Sequence, residues 1–254
     1  MPAANATSVT SAKSAKSATS KVIAIFGAGP GLGASVARRF AREGFRVALV
    51  ARRKDRLDAL VEQLTAEGIE AAGFTADLSD PERIPALIEA VRARFGRIDV
   101  IEYGPISGDQ AFSPATKVDA AMLRKDGPLL LLTPVEVVRA VLPEWTERGD
   151  GAFLMTTGHT AVEPRPYLSG IGVLMAAARN WLYALNGELA DVGAYAGTLS
   201  VAALIDRSEI SENAAESLPA GFAVVDPDDL AAHYWDMYTA RDRVEQVHPE
   251  QQAA

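Results

Sequence analysis

A glycine-rich run, Gly27-Ala28-Gly29-Pro30-Gly31-Leu32-Gly33, has the composition of a turn that binds a phosphate group. Because glycine has no Cβ, the backbone of such a run can turn tightly and approach a pyrophosphate closely. A helix that begins at the end of the run would present unpaired N–H groups to the same anion. The alternative is a tight turn with a structural role only. The run predicts a dinucleotide site formed by Gly27, Gly29, Gly31, Leu32 and Gly33.

Three cations, Arg52, Arg53 and Lys54, follow an apolar segment and precede a predicted helix. Each opposes the dipole of that helix by about 0.3–1 kcal/mol when exposed, and an anion lying there would offset this cost. An NAD site usually has Asp or Glu at this point, whereas the guanidinium fork of arginine matches a phosphate. The alternative is a solvated basic turn. The segment predicts binding of NADP(H) in preference to NAD(H), with Arg52 and Arg53 on the 2′-phosphate.

Several polar side chains are expected beyond the carboxyl ends of the predicted strands, which is where open α/β sheets bind their ligands. His159 is the most suggestive, since an imidazole can transfer a proton near neutral pH. Tyr103 ends a predicted strand, and Tyr167 would serve as a proton donor if its loop folds inward. The alternatives are that His159 lies in a surface loop and that Tyr167 only packs. Further polar candidates are Glu102, Thr156 and Thr157.

The composition argues against several other classes of protein. The formal net charge is −8, which disfavours binding to nucleic acid or to an anionic membrane surface. The absence of cysteine excludes disulfides, thiolate nucleophiles and cysteine-based metal sites. His233 and His248 are isolated in sequence, and no spacing predicts a metal site. The sequence predicts a cytoplasmic protein without a membrane span or a metal, acting on a small-molecule substrate or ligand.

Apolar segments of two kinds alternate along the chain and predict the elements that would position these residues. Short apolar runs predict strands at Val22–Phe26, Arg46–Val50, Phe74, Ile98–Ile101, Ala152–Met155 and Thr198–Ala203. Apolar residues at helical spacing predict helices at Leu32–Glu43, Leu57–Leu64, Pro81–Phe95, Val135–Trp145, Val173–Leu189 and Asp228–Tyr238. Such alternation predicts a single α/β domain, a Rossmann fold whose doubly wound parallel sheet has helices on both faces.

The two ends of the chain differ in character. Residues 1–20 are almost entirely Ala, Ser, Thr and Lys, a composition that cannot bury enough apolar surface to order itself. We expect a disordered tail over residues 1–20 and one domain over residues 21–254. Residues 206–225 are expected to cover the pocket.

These motifs together resemble the short-chain dehydrogenase/reductase family over roughly residues 21–205. Gly27, Gly31 and Gly33 match its early glycine motif, and Ala51-Arg52-Arg53 resembles its NADP-preferring members. The resemblance implies that Asp77 and Leu78 meet the adenine edge of the cofactor. It also places Tyr103 and Gly104 at the cofactor, although Glu102-Tyr103-Gly104-Pro105 replaces the family's Asn-Asn-Ala-Gly signature. A homodimer or homotetramer, formed through the long helix, is a further implication of the resemblance.

The resemblance fails at the family's catalytic residues, which are Ser, Tyr, Lys and Asn. The Tyr and Lys must stand at i and i+4 to share one helix face. No Lys follows Lys125, and no Asn lies between Asn5 and Asn180. The best alignment places Gly158 at the Ser, Ile171 at the Tyr and Met175 at the Lys. Loss of a positioned general acid costs about 10²–10⁴-fold in rate.

Three functions therefore stay open from the sequence. The first is a divergent NADP(H)-dependent oxidoreductase in which His159, Tyr103, Tyr167 or water supplies the proton. The second is a non-catalytic NADP(H)-binding protein, acting as a sensor or as a partner subunit. The third is a non-redox enzyme, such as a lyase or cyclase, that reuses the pocket.

Overall fold

The computed structural model describes residues 20–106, 112–209, 211 and 223–250. Within these residues the chain forms a seven-stranded sheet in the order β3-β2-β1-β4-β5-β6-β9, with every neighbouring pair parallel. A second sheet pairs β7 with β8. The strands are β1 (Val22–Phe26), β2 (Arg46–Ala51), β3 (Ala71–Thr75), β4 (Val100–Tyr103), β5 (Gly151–Gly158), β6 (Ala194–Val201), β7 (Leu204–Ile205), β8 (Val224–Val225) and β9 (Glu245–His248).

Helices cover both faces of the main sheet. The α-helices are α1 (Leu32–Arg42), α2 (Lys54–Ala66), α3 (Ile84–Phe95), α4 (Ala120–Gly127), α5 (Thr133–Arg148), α6 (Ile171–Ala190) and α7 (Pro227–Ala240). A π-helical turn, Pro128–Leu132, joins α4 to α5. Short 3₁₀ turns lie at Pro81–Arg83, Ala115–Lys117 and His159–Ala161.

The sheet has a hydrophobic core on each of its two faces, which explains why the sequences of its strands are continuously apolar. Val22, Ala24 and Phe26 face the core under α3, α5 and α6. Ile23 and Ile25 face the opposite core, under α1, α2 and α7. A strand buried on both faces carries apolar residues at every position, because its side chains alternate between the two faces. The predicted fold class, a doubly wound parallel α/β sheet, is confirmed.

Several predicted elements have different bounds in the structure. The predicted strand Ile98–Ile101 is β4, Val100–Tyr103, and the predicted strand Thr198–Ala203 is β6, Ala194–Val201. The edge strand β9 was not predicted, since its sequence Glu-Gln-Val-His lacks a strand's apolar pattern. The helical stretch from α4 through the π turn was also missed. Its prolines suggest a break, yet the wider π turn accommodates Pro128 within a continuing helix.

Two expectations concern parts of the chain that lie wholly or partly outside the described residues. The predicted disordered tail, residues 1–20, falls outside them apart from Ser20. Of the predicted covering segment, residues 210 and 212–222 also fall outside. In the described part, no helix is both long enough and apolar enough to cross a bilayer.

Candidate functional site

The glycine run forms the turn between β1 and α1, at the carboxyl edge of the sheet. The N–H groups of Gly27 and Ala28 both donate to the carbonyl of Val50, at 2.9 Å, which fixes the turn against β2. Gly27 has a φ of +89°, and a Cβ there would lie 2.5 Å from the Cα of Pro105. Only glycine therefore fits at this position.

The rest of the run approaches α1 closely but leaves one side open. A Cβ on Gly33 would lie 2.9 Å from the Cα of Ala28, so this glycine lets the helix pack on the turn. A Cβ on Gly29 would meet no atom within 4 Å, which leaves room for a ligand. Helix α1 begins at Leu32 without a side-chain cap from Gly31. The first N–H groups of an uncapped helix suit an anion.

A basic cluster lies at the start of α2. Arg53 is the N-cap residue of this helix, and Arg56 follows one turn later. Both guanidinium groups contact the carboxylate of Glu209, which comes from the segment after β7. Sequence reasoning missed Arg56, although its i+3 spacing from Arg53 places both on one helix face. It also missed Glu209, for which the sequence carries no signal.

Asp77 and Leu78 follow β3, where the resemblance places the adenine. Asp77 is exposed, and its Oδ1 accepts the N–H of Ser79 at 2.9 Å. Asp77 also borders a surface cavity of about 270 Å³ beside α3. Leu78 differs, because its side chain lies in the core and its carbonyl accepts the Thr133 hydroxyl at 2.7 Å. Asp77 is therefore accessible to a ligand, whereas the Leu78 side chain packs inside.

Tyr103 lies in the core rather than in the pocket. Its ring packs between those of Phe26 and Phe153, with centroid distances of 6.0 and 6.2 Å. Its hydroxyl donates to the carbonyl of Leu129 at 2.6 Å. Burial raises the pKa of Tyr103 well above its ordinary value. This arrangement corrects the expectation that the Tyr103 side chain supplies a proton or contacts the cofactor.

Glu102 points to the opposite side of the sheet from Tyr103 and is also buried. The Thr156 hydroxyl lies 3.1 Å from Glu102 Oε1 and 2.6 Å from the hydroxyl of Tyr234. Burial raises the pKa of Glu102 to about 8. A Cβ on Gly104 would lie 2.7 Å from Glu102 Oε1 and 3.0 Å from Thr156 Oγ1, so a larger residue there would require these side chains to shift. Glu102 is thus an acid that stays protonated at neutral pH.

The sequence alignment places Gly158, Ile171 and Met175 at the family's Ser, Tyr and Lys, and in the structure these residues have apolar surroundings. The N–H of Gly158 donates to the Sδ of Met175 at 3.2 Å. Ile171 and Met175 are buried on the first turns of α6. They pack in one cluster with Leu130, Ala161 and Leu174. None of Gly158, Ile171 and Met175 carries a group that transfers a proton.

His159 lies directly after Gly158, at the start of a 3₁₀ turn, and its side chain is 12% exposed. Its Nε2 is 3.2 Å from Glu163 Oε2. Its Nδ1 is buried and has no hydrogen-bond partner among the described residues. His159 thus lies at the carboxyl end of β5, next in the chain to Gly158. This is the edge of the sheet at which the glycine turn lies.

The two remaining polar candidates, Tyr167 and Thr157, do not form a site together with His159. Tyr167 is 75% exposed. The condition for its role as a proton donor, a loop folded inward, is therefore not met in this structure. Thr157 is buried, and its hydroxyl lies 2.9 Å from that of Thr198 and 2.8 Å from that of Ser200. Thr157 therefore links strands β5 and β6.

Residues 21–193 match the short chain dehydrogenase family, a span that runs from β1 through α6. The chain belongs to the short-chain dehydrogenase family. A fatty acyl-CoA reductase of Mycobacterium tuberculosis is 29% identical to it over 234 residues, which are 91% of this chain and 77% of that protein. Sulfoacetaldehyde reductase 2 of Chromohalobacter salexigens is 29% identical over 175 residues, 68% of this chain and 69% of that protein.

Solved structures agree with the short-chain dehydrogenase assignment. The structure of L-sorbose reductase from Gluconobacter frateurii, complexed with NADPH and L-sorbose, superposes with a TM-score of 0.73 at 25% identity. This superposition covers 86% of this chain and 89% of that one. Within the described residues, no group of three or more His, Cys, Asp or Glu side chains is arranged to hold a metal ion.

Proposed function

We propose that this short-chain dehydrogenase binds NADP(H) and acts as a divergent oxidoreductase on a small molecule. The observation that carries the proposal is the pair Arg53 and Arg56, which already holds a carboxylate one strand away from the open glycine turn. L-sorbose reductase, which has this fold, was solved with NADPH. The fatty acyl-CoA and sulfoacetaldehyde relatives are named as reductases.

The chain's own residues fit the cofactor in three places. Gly29 and the uncapped start of α1 leave space and N–H groups for the pyrophosphate. Arg53 and Arg56 suit the 2′-phosphate, because guanidinium groups form strong, directed bonds to phosphate oxygens. Exposed Asp77 lies where the adenine edge is expected. When bound, NADPH supplies a hydride.

Apart from the cofactor, the proposed reaction needs a proton donor, and the residues near Gly158, Ile171 and Met175 limit which side chain can serve. Ile171 and Met175 are buried on α6, and neither side chain can donate or accept a proton in a reaction. His159 is a titratable side chain next in the chain to Gly158, and its contact with Glu163 orients the ring. In the proposed function, His159 therefore takes the proton-donating role that the aligned positions no longer fill.

We expect the double variant Arg53→Ala, Arg56→Ala to bind NADPH at least about 10- to 100-fold more weakly, since even one hydrogen bond to a charged group contributes about 1.5–3 kcal/mol. NADH affinity should stay the same, because NADH has no 2′-phosphate. Both affinities are measured by titration of the purified protein. Arg139→Ala, which removes an exposed arginine of α5, serves as the control. Equal losses for both cofactors would refute the phosphate assignment.

A second candidate function is NADP(H) binding without turnover, as a sensor or a partner subunit. The contact between Met175 Sδ and the N–H of Gly158 favours it, because the aligned site is closed by packing. NADPH oxidation measured against a panel of carbonyl compounds separates the two candidates. Turnover supports the oxidoreductase, whereas tight NADPH binding without turnover supports the sensor.

A further inference from the structure

The chain crosses the glycine turn again after β6. Strand β7, Leu204–Ile205, pairs with β8 and leads into Asp206 and Arg207. A Cβ on Gly31 would lie 3.0 Å from the Asp206 carbonyl oxygen and 3.2 Å from the Arg207 carbonyl group. The backbone of this crossing segment, residues 204–209, therefore lies directly against the predicted pyrophosphate turn.

The crossing segment also contacts α7. Arg207 forms ion pairs with Asp226, the N-cap residue of α7, and with Asp228 in its first turn. The Ser208 hydroxyl donates to the carbonyl of Ile205 at 2.6 Å. These contacts tie the two residues just before Glu209 to α7 and to β7.

Glu209 reaches α2 from this anchored segment. Its Oε1 contacts both Arg53 and Arg56, which lie 156 and 153 residues earlier in the chain. Two arginines one helical turn apart repel each other unless an anion lies between them. The Glu209 carboxylate supplies that anion from a different part of the fold.

We infer that Glu209 is a selectivity residue of the cofactor site, because its carboxylate occupies the place of the 2′-phosphate of NADP(H). This inference rests on the proposed NADP(H) function. NADP(H) must displace Glu209 from the two arginines, whereas NAD(H) has no 2′-phosphate and leaves it in place. The exchange favours the phosphate, which carries more negative charge and more acceptor oxygens than a carboxylate.

The preference of this site for NADP(H) over NAD(H) is therefore weaker than it would be if Arg53 and Arg56 were present without Glu209. Each NADP(H) molecule gains the contacts of its 2′-phosphate only after two existing ion pairs are broken. NAD(H) binds without that loss. Removing the Glu209 carboxylate should strengthen the binding of ligands with a 2′-phosphate and of no others.

The test compares Glu209→Gln with the wild-type chain by calorimetric titration, using 2′,5′-ADP and ADP as probes alongside NADPH and NADH. We expect 2′,5′-ADP and NADPH to bind about five- to tenfold more tightly to the variant, as two exposed ion pairs no longer compete. ADP and NADH should change by less than about twofold. Glu62→Gln removes the same charge from the exposed side of α2, and is expected to change none of the four affinities.

The outcomes separate this inference from the proposed function. If the wild-type chain binds NADPH and Glu209→Gln leaves that affinity unchanged, Glu209 is not a selectivity residue, and the NADP(H) site stands. If all four ligands gain equally, the carboxylate only restrains the segment over the glycine turn, and the inference is overturned. If the wild-type chain and the variant both bind neither NADPH nor NADH, the proposed function itself fails.

Discussion

The free energy of unfolding of Glu102→Gln, taken relative to that of the wild type, should increase by about 4 kcal/mol as the pH rises from 5 to 8. Burial raises the pKa of Glu102 from its ordinary value of 4.5 to about 8. Between these values the unfolded chain releases the proton and the folded protein keeps it. The wild-type protein therefore loses about 1.4 kcal/mol of stability for each pH unit, and glutamine has no proton to lose.

The two limits of this effect follow from the same pKa values. Below pH 4.5 the Glu102 carboxyl is protonated in both the folded and the unfolded protein, so it adds no pH dependence to the free energy of unfolding. Above pH 8 it is ionised in both states, and the cost of its burial is constant. The glutamine amide adds a cost of about 1–3 kcal/mol if its N–H groups stay unpaired, but this cost does not vary with pH.

Urea unfolding of the variant and the wild type at several pH values measures the effect. Glu62→Gln is the matched control, because an exposed carboxyl should give a difference that changes little with pH. A Glu102→Gln difference that is constant from pH 5 to pH 8 would show that Glu102 ionises normally in the folded protein. Thr156→Val in the same series tests whether the hydroxyl contact at 3.1 Å lowers the pKa of Glu102.

The second large effect concerns His159. We expect His159→Ala to lower the kcat of any carbonyl reduction that the protein performs by about 10²–10⁴-fold, the usual loss when a positioned proton donor is removed. NADPH affinity should change little, because His159 follows β5, whereas the glycine turn follows β1 and the arginines follow β2.

The two measurements are a steady-state kcat and an NADPH titration on the same preparations. His233→Ala is the control, since His233 pairs with His248 at 3.0 Å, between α7 and the edge strand β9. Full retention of kcat in His159→Ala would remove His159 from the mechanism. Loss of NADPH affinity would indicate a structural role instead.

The sequence predicts a helix or strand well where a regular pattern of apolar residues marks each buried face of that element. Val22–Phe26 carries apolar residues throughout because both of its faces are covered. Strand β9 could not be predicted in this way, because it lies at the sheet edge and only its pairing with β6 identifies it. Its residues are polar or half-buried, and its partner is more than 40 residues earlier in the chain.

The candidate site was predictable only in part, for a similar reason. The glycine turn and Arg53 are local in sequence, and the turn's geometry follows from residue types. Tyr103 and Glu102 are adjacent, and sequence alone does not tell whether the last residues of a strand leave the sheet or remain in it. Both remain within β4, so each side chain enters one of the two cores. Glu209 reaches Arg53 only through the folded chain.

The packing around Met175 has a consequence for attempts to engineer reductase chemistry into this scaffold. A lysine at that position would place an ammonium group among Leu130, Ile171 and Leu174, where burying an unpaired charge costs several kcal/mol. A tyrosine in place of Ile171 would have to enlarge the same closed cluster. Single substitutions toward the family pattern should therefore unfold the scaffold before they confer activity. A successful redesign has to replace several residues of this cluster together, with smaller and polar side chains.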